Sequence, residues 1–238
     1  MRVSSTNYKH QCYCICKYSQ ERDIREHYEI AGIDGCAAGW IIATPDEVFV
    51  ARTLDLRRFT YVGIDMPIGL VDGPPRACDR EARKYLAAAG SSVFPAPPRA
   101  ALTCTDYPSA LATARSATVR GISKQTFNIM RKVAELDELI EPRHEDTVAE
   151  VHPECTFKML NDDQPLPSKK THEGRAIRRG LLSEHFHIPD KSPPGAAIDD
   201  LLDAFAVLWS VTRFRHNDHR VFGDGSRDPR GIQMRIIC

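Results

Sequence analysis

Two aspartates each follow an apolar stretch of sequence, and their chemistry suggests a shared cation. Asp34 ends "YEIAGID" and Asp65 ends "TYVGID". Short apolar runs bounded by turn residues are typical of buried strands. If the two strands lie parallel and adjacent, both carboxylates emerge at the sheet edge where open α/β sheets bind ligands. Such carboxylates repel each other unless they share a proton or bind a divalent ion, so we expect a cation site.

A late helix carries a second pair of acids. The stretch "DDLLDAFAVLW" has the period of an amphipathic helix, with apolar residues on one face and Asp200 and Asp203 on the other. These two carboxylates stand at i and i+3, and no lysine or arginine lies within one turn to neutralise them. The pair is therefore predicted to join Asp34 and Asp65 around the cation.

Each acid also has a structural explanation. The Asp-Gly dipeptide at Asp34 favours a hairpin turn, and Asp65 stands where it can cap a turn. Asp200 lies at a helix start, where capping and the helix dipole favour acids. Asp203 lies in the second turn, which capping does not explain. The combination of two strand ends with one acidic helix favours the functional interpretation.

The elements that must position these acids follow from hydrophobic periodicity and turn residues. They predict an antiparallel meander of three strands, a fourth strand, helices, a fifth strand and further helices, which is an α/β fold with a mixed five-stranded sheet. Strands are predicted at 28–34, 39–45, 47–53, 60–65 and 146–152. Helices are predicted at 76–90, 107–117, 123–140, 153–161, 171–186 and 198–214, and the tail can form a final hairpin.

Composition limits the domain count and the charge available for binding. In 238 residues, Lys plus Arg and Asp plus Glu both number 32, so the formal net charge is zero and polyanion binding would need a local patch.

We expect a leader over 1–27 and a single domain over 28–238. Cys12, Cys14 and Cys16 alternate in the leader without zinc-site spacing, which predicts poor order and reduced thiols. No apolar run suggests a signal or membrane span, so a cytoplasmic protein is expected.

Several short motifs occur in a fixed order between residues 30 and 214: "GIDGCAAGW", "GIDMPIGL", "SVFPAPPR", "EVHPE", "THEGRAIRRGLL" and "DDLLDAFA". Together they resemble a family of uncharacterised proteins described as predicted RNase H-like nucleases. The resemblance implies the fold of RNase H and of the RuvC Holliday-junction resolvase, with helices flanking the sheet. The segment between the third and fourth strands is too short for the full helix of that fold.

The same resemblance implies a metal-dependent nuclease. Asp34 matches the acid of the first strand, Asp65 that of the fourth, and Asp200 and Asp203 match the D-x-x-D pattern of a late RuvC helix. In that superfamily such acids hold two Mg²⁺ or Mn²⁺ ions that activate water and stabilise the leaving oxygen of a phosphodiester. Nucleic acid of unknown type is the implied partner. Because RuvC works as a dimer, a homodimer is a further expectation.

Further residues are candidates for supporting roles. Glu150 and His152 in "EVHPE" can assist a metal-bound water as acid or base, although the same stretch also reads as the entry of a helix. The basic stripe Lys170, Arg175, Arg178 and Arg179, preceded by Lys169, can contact phosphates, or can be an ordinary solvated helix face. Arg99 ends a proline-rich loop that either binds a phosphate or covers an apolar edge.

Two other functions fit parts of the sequence. A non-catalytic RNase H-like module could bind nucleic acid or a protein without cleaving anything, because fold does not imply function. "GIDG" also resembles the phosphate-binding turn of actin-like ATPases and sugar kinases. Those proteins need two such domains, and here the Gly-Thr that normally follows their aspartate is missing.

Overall fold

The computed structural model describes residues 27–118 and 121–238, so the predicted leader, apart from His27, lies outside the described residues. The strands are β1 (Tyr28–Cys36), β2 (Gly39–Ala43), β3 (Val48–Ala51), β4 (Phe59–Ile64), β5 (Val148–Val151), β6 (Val221–Phe222) and β7 (Ile236–Ile237). The helices are α1 (Ala77–Leu86), α2 (Tyr107–Thr118), α3 (Lys124–Leu139), α4 (Pro153–Leu160), α5 (His172–Ser183) and α6 (Ile198–Arg215).

The strands form one mixed sheet in the order β3-β2-β1-β4-β5-β7-β6. The pairs β3-β2, β2-β1 and β7-β6 are antiparallel, whereas β1-β4, β4-β5 and β5-β7 are parallel. The α/β fold with a mixed sheet is thus confirmed, but the predicted count of five strands is wrong, because the sheet has seven. The extra two are the tail hairpin, whose strands of two residues are too short to show a period of their own.

Helices cover both faces of the sheet because alternate residues of each strand point to opposite sides. Along β1, Ile30 and Cys36 pack in the cluster that contains α6. Ala31 and Ile33 face the other way, in the cluster that contains Val133 of α3. Asp34 shares the parity of Ile30 and Cys36, so its side chain points to the α6 face.

Two glycines let α6 approach the sheet closely. A Cβ at Gly32 of β1 would lie 2.1 Å from Leu208 N and 2.3 Å from Ala204 O. A Cβ at Gly63 of β4 would lie 2.7 Å from a methyl carbon of Val207. Since only glycine leaves room for such an approach, these positions set how near α6 can bring its acids to β1 and β4.

The predicted helices are present, and several of their ends follow from side-chain caps. Ser123 caps α3 as expected, accepting a hydrogen bond of 3.0 Å from Thr126 N, and Pro153 opens α4. The predicted polar face of α6 is wrong, because Asp203 is 5 % exposed. Helices α4 and α5 also pack against α6, so it is covered by these helices as well as by the sheet. Within the described ranges, no helix has the length and apolarity needed to cross a membrane.

Candidate metal centre

The pairing of β1 with β4 places two of the predicted acids side by side. The strands run parallel with Ile33 opposite Ile64, so the next residues, Asp34 and Asp65, are neighbours. Asp65 N donates to Ile33 O at 2.9 Å, which continues the pairing one residue past β4. Asp34 lies within β1 and pairs with Ile41 of β2, so it does not form the hairpin turn that its Asp-Gly sequence allowed.

Helix α6 adds the third acid. One oxygen from each carboxylate of Asp34, Asp65 and Asp203 lies within 4.8 Å of the other two. Asp34 is 7 % exposed and Asp203 is 5 % exposed, while Asp65 is half-buried. In the described part of the chain, the one hydrogen bond to the Asp34 carboxylate is donated by Gly35 N to Oδ1 at 2.6 Å. We call these three residues the acidic trio.

Burial and mutual repulsion raise the proton affinity of the acidic trio. Burial raises the pKa of Asp34 well above its ordinary value, and the charges of Asp65 and Asp203 raise it further. Burial likewise raises the pKa of Asp65, with Asp203 adding to the effect. Burial raises the pKa of Asp203 to about 6, although Lys169 acts in the opposite direction. Ionising all three carboxylates is therefore costly unless a cation is present.

A lysine from a distant segment already contacts the trio. Lys169 Nζ donates to Asp203 Oδ2 at 2.7 Å. Lys169 lies in the segment between α4 and α5, and the sequence singled it out only as a neighbour of the basic stripe. No sequence signal distinguishes it from Lys170, because its partner is 34 residues away along the chain.

The fourth predicted ligand has a different hydrogen-bond partner. Asp200 Oδ2 accepts from Ala197 N at 2.8 Å, which caps the start of α6. Asp200 still raises the pKa of Asp34, so it lies within electrostatic reach. Within the described residues, however, the closely grouped acids are Asp34, Asp65 and Asp203. The structure therefore places Asp200 beside the trio rather than in it.

Glu150 is bound by a buried arginine. Arg76 donates to both of its carboxylate oxygens, at 2.7 and 2.8 Å, and also pairs with Asp79. Glu150 accepts a third hydrogen bond from Ile68 N at 2.7 Å, and Arg76 donates to Ile68 O. Because Ile68 follows Asp65 by three residues, this network fixes the turn that carries Asp65. The predicted acid–base role of Glu150 stays untested, but these contacts give it a structural one.

His152 is the first residue before α4, and its ring is largely enclosed. Nε2 lies 3.3 Å from Ser92 O, so this nitrogen is the donor and Nδ1 is left as an acceptor. Nδ1 is buried and has no hydrogen-bond partner among the described residues. Burial lowers the pKa of His152, which favours the neutral ring that a general base requires.

The basic stripe is turned largely inward. Arg178 is 2 % exposed and pairs with Glu154 at 2.7 Å. Arg179 donates to Ile188 O and Pro189 O, and Arg175 donates to Lys169 O and Lys170 O. Arg99 is also engaged, by Asp137 and Asp228. Of the predicted phosphate contacts, Lys170 is the most exposed, and no described contact of its ammonium group is seen.

The chemistry of the trio fits a hard divalent ion. Its donors are all carboxylate oxygens, which Mg²⁺ and Mn²⁺ prefer. Oxygens that share one Mg²⁺ ion are at most about 4.2 Å apart, since each bond is about 2.1 Å. The observed bound of 4.8 Å exceeds that distance by roughly half an ångström, and oxygens at adjacent octahedral positions must come closer still, to about 3 Å. Rotation of the carboxylates about their side-chain bonds can bring their oxygens closer together.

Comparison with known proteins gives a family without an assigned activity. No curated protein and no solved structure matches the chain significantly. A family model matches residues 32–227, which include the acidic trio, Lys169 and the whole of α6. The matched region is most of the chain, and the protein accordingly belongs to the family described as "Protein of unknown function (DUF429)".

Proposed function

We propose that the protein is a divalent-metal-dependent nuclease that hydrolyses phosphodiester bonds in nucleic acid. The observation that carries this proposal is the acidic trio, formed by two adjacent parallel strands and one helix. The meander of β1 to β3 followed by parallel β4 and β5 also agrees with the RNase H-like fold that the sequence motifs imply. Mg²⁺ or Mn²⁺ is the proposed cofactor.

The residues of the chain divide the work of such a reaction. Asp34, Asp65 and Asp203 would hold the ion, which when bound supplies an acidified water and charge stabilisation at the phosphate. The burial of Asp34 and Asp203 limits their contact with bulk water and strengthens their attraction for the ion. His152 is the candidate acceptor for the proton of the attacking water, because its Nδ1 lacks a hydrogen-bond partner in the described ranges.

The proposed partner is nucleic acid whose backbone lies over the trio. The chain has no net charge, so a local set of cations must attract the phosphates. Lys169 lies beside the trio, and the exposed Lys170 follows it in the same segment. These residues give backbone contacts without base reading, so the proposal does not select DNA or RNA. A homodimer and a cytoplasmic location remain predictions.

A non-catalytic binding module is the competing function, and one observation favours it. Lys169 already forms an ion pair with Asp203 and so partly neutralises the trio without any metal. An acidic cluster kept only for structure could be balanced in this way. Metal binding separates the two functions, because the module has no need of an ion.

The test is an anomalous-scattering map from crystals soaked in Mn²⁺. We expect manganese density bounded by Asp34, Asp65 and Asp203 in the wild type, and none in Asp34→Asn. Asp46→Asn is the matched control, because Asp46 is exposed in the turn between β2 and β3. Absence of density in the wild type at high Mn²⁺ would contradict the proposal and favour the binding module.

A further inference from the structure

The segment that carries Lys169 is fixed to α5 by arginines. Arg178, which is buried, donates from Nη1 to Pro167 O at 2.8 Å and to Gly174 O at 2.9 Å. Its other nitrogen, Nη2, pairs with Glu154 of α4 at 2.7 Å. The buried arginine of the predicted stripe therefore ties the start of this segment to two helices.

A second set of contacts fixes Lys169 itself. Arg175 Nε donates to Lys169 O at 3.0 Å, and its Nη2 donates to Lys170 O at 3.2 Å. A Cβ at Gly174 would lie 2.1 Å from Ser168 O, so glycine is needed for the segment to lie against α5. The backbone on both sides of Lys169 is thus held, as is typical of a preorganised site rather than a mobile surface lysine.

Charge balance limits how many ions this centre can take. With all three carboxylates ionised the trio carries −3, and Lys169 adds +1, which leaves −2. One divalent ion neutralises that charge, whereas the charge of Asp200, which acts on Asp34 from outside the trio, is partly exposed to solvent. A second ion about 3.5–4 Å away would need further carboxylate ligands. Asp200 is engaged as a helix cap, and Glu154 and Glu150 are paired with arginines.

We propose that the centre binds one divalent ion, and that the Lys169 ammonium supplies the second positive charge beside the scissile phosphate. This inference rests on the proposed nuclease function and replaces the pair of ions that the family resemblance implies. Lys169 would donate hydrogen bonds to a non-bridging phosphate oxygen and would not transfer a proton. In hydrolysis the oxygen of water bonds to phosphorus, the P–O bond to the leaving group breaks, and one water proton ends on the leaving oxygen.

The role of the "THEGRAIRRGLL" motif follows from the same contacts. Arg175 and Arg178 were predicted to touch phosphates, but each donates to the backbone of the 167–170 segment. They would act as positioning residues that hold Lys169 against Asp203. Substitution of either should therefore alter metal binding through Lys169 rather than through a phosphate contact.

The test counts Mn²⁺ bound to the full chain by electron paramagnetic resonance, using Mn²⁺ alone as the probe. We expect one ion per chain in the wild type. Lys169→Met removes a cation next to the ion, so its Mn²⁺ affinity should rise at least about tenfold. Lys84→Met, at an exposed position of α1, is the matched control and should leave the affinity unchanged. Arg175→Met should raise the affinity by a smaller factor than Lys169→Met.

The outcomes separate this inference from the proposed function. Two ions bound to the wild type, with an affinity that Lys169→Met does not change, would overturn the inference while leaving a metal-dependent nuclease intact. No Mn²⁺ bound to any variant would overturn the proposed function and this inference with it. A Lys169→Met variant that binds Mn²⁺ more tightly but cleaves nucleic acid more slowly than the wild type would support the inference. A variant that had only lost its fold would show a lower Mn²⁺ affinity as well as a lower cleavage rate.

Discussion

At the residue scale, the carboxylates of this protein fall into two groups with different partners. Asp34, Asp65 and Asp203 face one another with one lysine among them. Glu150 is surrounded by donors, including both terminal nitrogens of Arg76. Buried carboxylates that have several donors are commonly structural, whereas a buried cluster that lacks them needs a proton or an ion.

The pH dependence of stability tests the electrostatics of the trio. Because the pKa values of Asp34 and Asp203 are raised in the folded protein, the stability they contribute is fully present below their ordinary pKa near 3.8. It is lost as the pH rises, through about 6 for Asp203. We expect the metal-free protein to become less stable from pH 4.5 to 7.5, and Asp34→Asn to reduce this loss. Urea unfolding in EDTA measures the free energy of unfolding at each pH. An equal decrease in the wild type and in Asp34→Asn would contradict the account.

The buried Arg76 network gives a second prediction at this scale. Arg76→Met leaves Glu150 and Asp79 without their partner in a buried setting. Removing one member of such a network costs about 3–5 kcal/mol of unfolding free energy. Arg80→Met, in the first turn of α1 but exposed, should cost less than about 0.5 kcal/mol. Chemical denaturation measures the unfolding free energy of both variants. A loss for Arg76→Met as small as that for Arg80→Met would show that the network does not hold the Asp65 turn.

At the scale of elements, the fit of α6 to the sheet decides whether the trio forms. Gly32 and Gly63 remove the side chains that would stand between the helix and strands β1 and β4. Helix α6 then brings Asp203 to two carboxylates that arise from the ends of neighbouring strands. The strand periodicity predicted that neighbourhood correctly, since β1 and β4 are parallel and adjacent.

A pair of glycine substitutions tests this packing. Gly32→Ala places a methyl group about 2 Å from backbone atoms of α6, so the helix must move, and we expect a loss of about 2–3 kcal/mol. Gly180→Ala is the control, because nothing lies within 4 Å of a Cβ there and alanine favours the helix by up to about 1 kcal/mol. Thermal unfolding should therefore give a lower melting temperature for Gly32→Ala and a higher one for Gly180→Ala than for the wild type. A neutral Gly32→Ala would mean that α6 does not approach β1 as described.

At the scale of the whole molecule, local pattern predicted the elements and the grouping of three of the four acids, but it missed the long-range partners of the charged residues. The mixed sheet and the Ser123 cap of α3 follow from periodicity and turn residues within a few positions, whereas the two-residue strands of the final hairpin are too short to show a period. Lys169 and Asp203 are 34 residues apart, and Arg76 and Glu150 are 74 apart. No local signal distinguishes those cations from surface charges. The burial of the central turns of α6 was missed for the same reason, since α4 and α5 pack against it as well as the sheet.

Ligand-linked stability tests the centre in the intact molecule. An ion that binds only the folded state at 100 times its dissociation constant stabilises it by about 2.7 kcal/mol. For a domain of this size the melting temperature should then rise by roughly 5–10 °C in Mn²⁺. Asp203→Asn should lose the shift and Asp46→Asn should keep it. A shift of the same size in Asp203→Asn would place the ion elsewhere.

The central claim is hydrolysis, and the measurement that tests it most directly is cleavage of end-labelled substrates. The panel is single-stranded DNA, duplex DNA, RNA, an RNA–DNA hybrid and a four-way junction, each incubated with Mn²⁺ or with EDTA. We predict Mn²⁺-dependent cleavage of at least one substrate by the wild type and by Asp46→Asn, and none by Asp203→Asn. Cleavage that persists in EDTA or in Asp203→Asn, or intact substrates throughout with a protein that binds Mn²⁺, would contradict the claim.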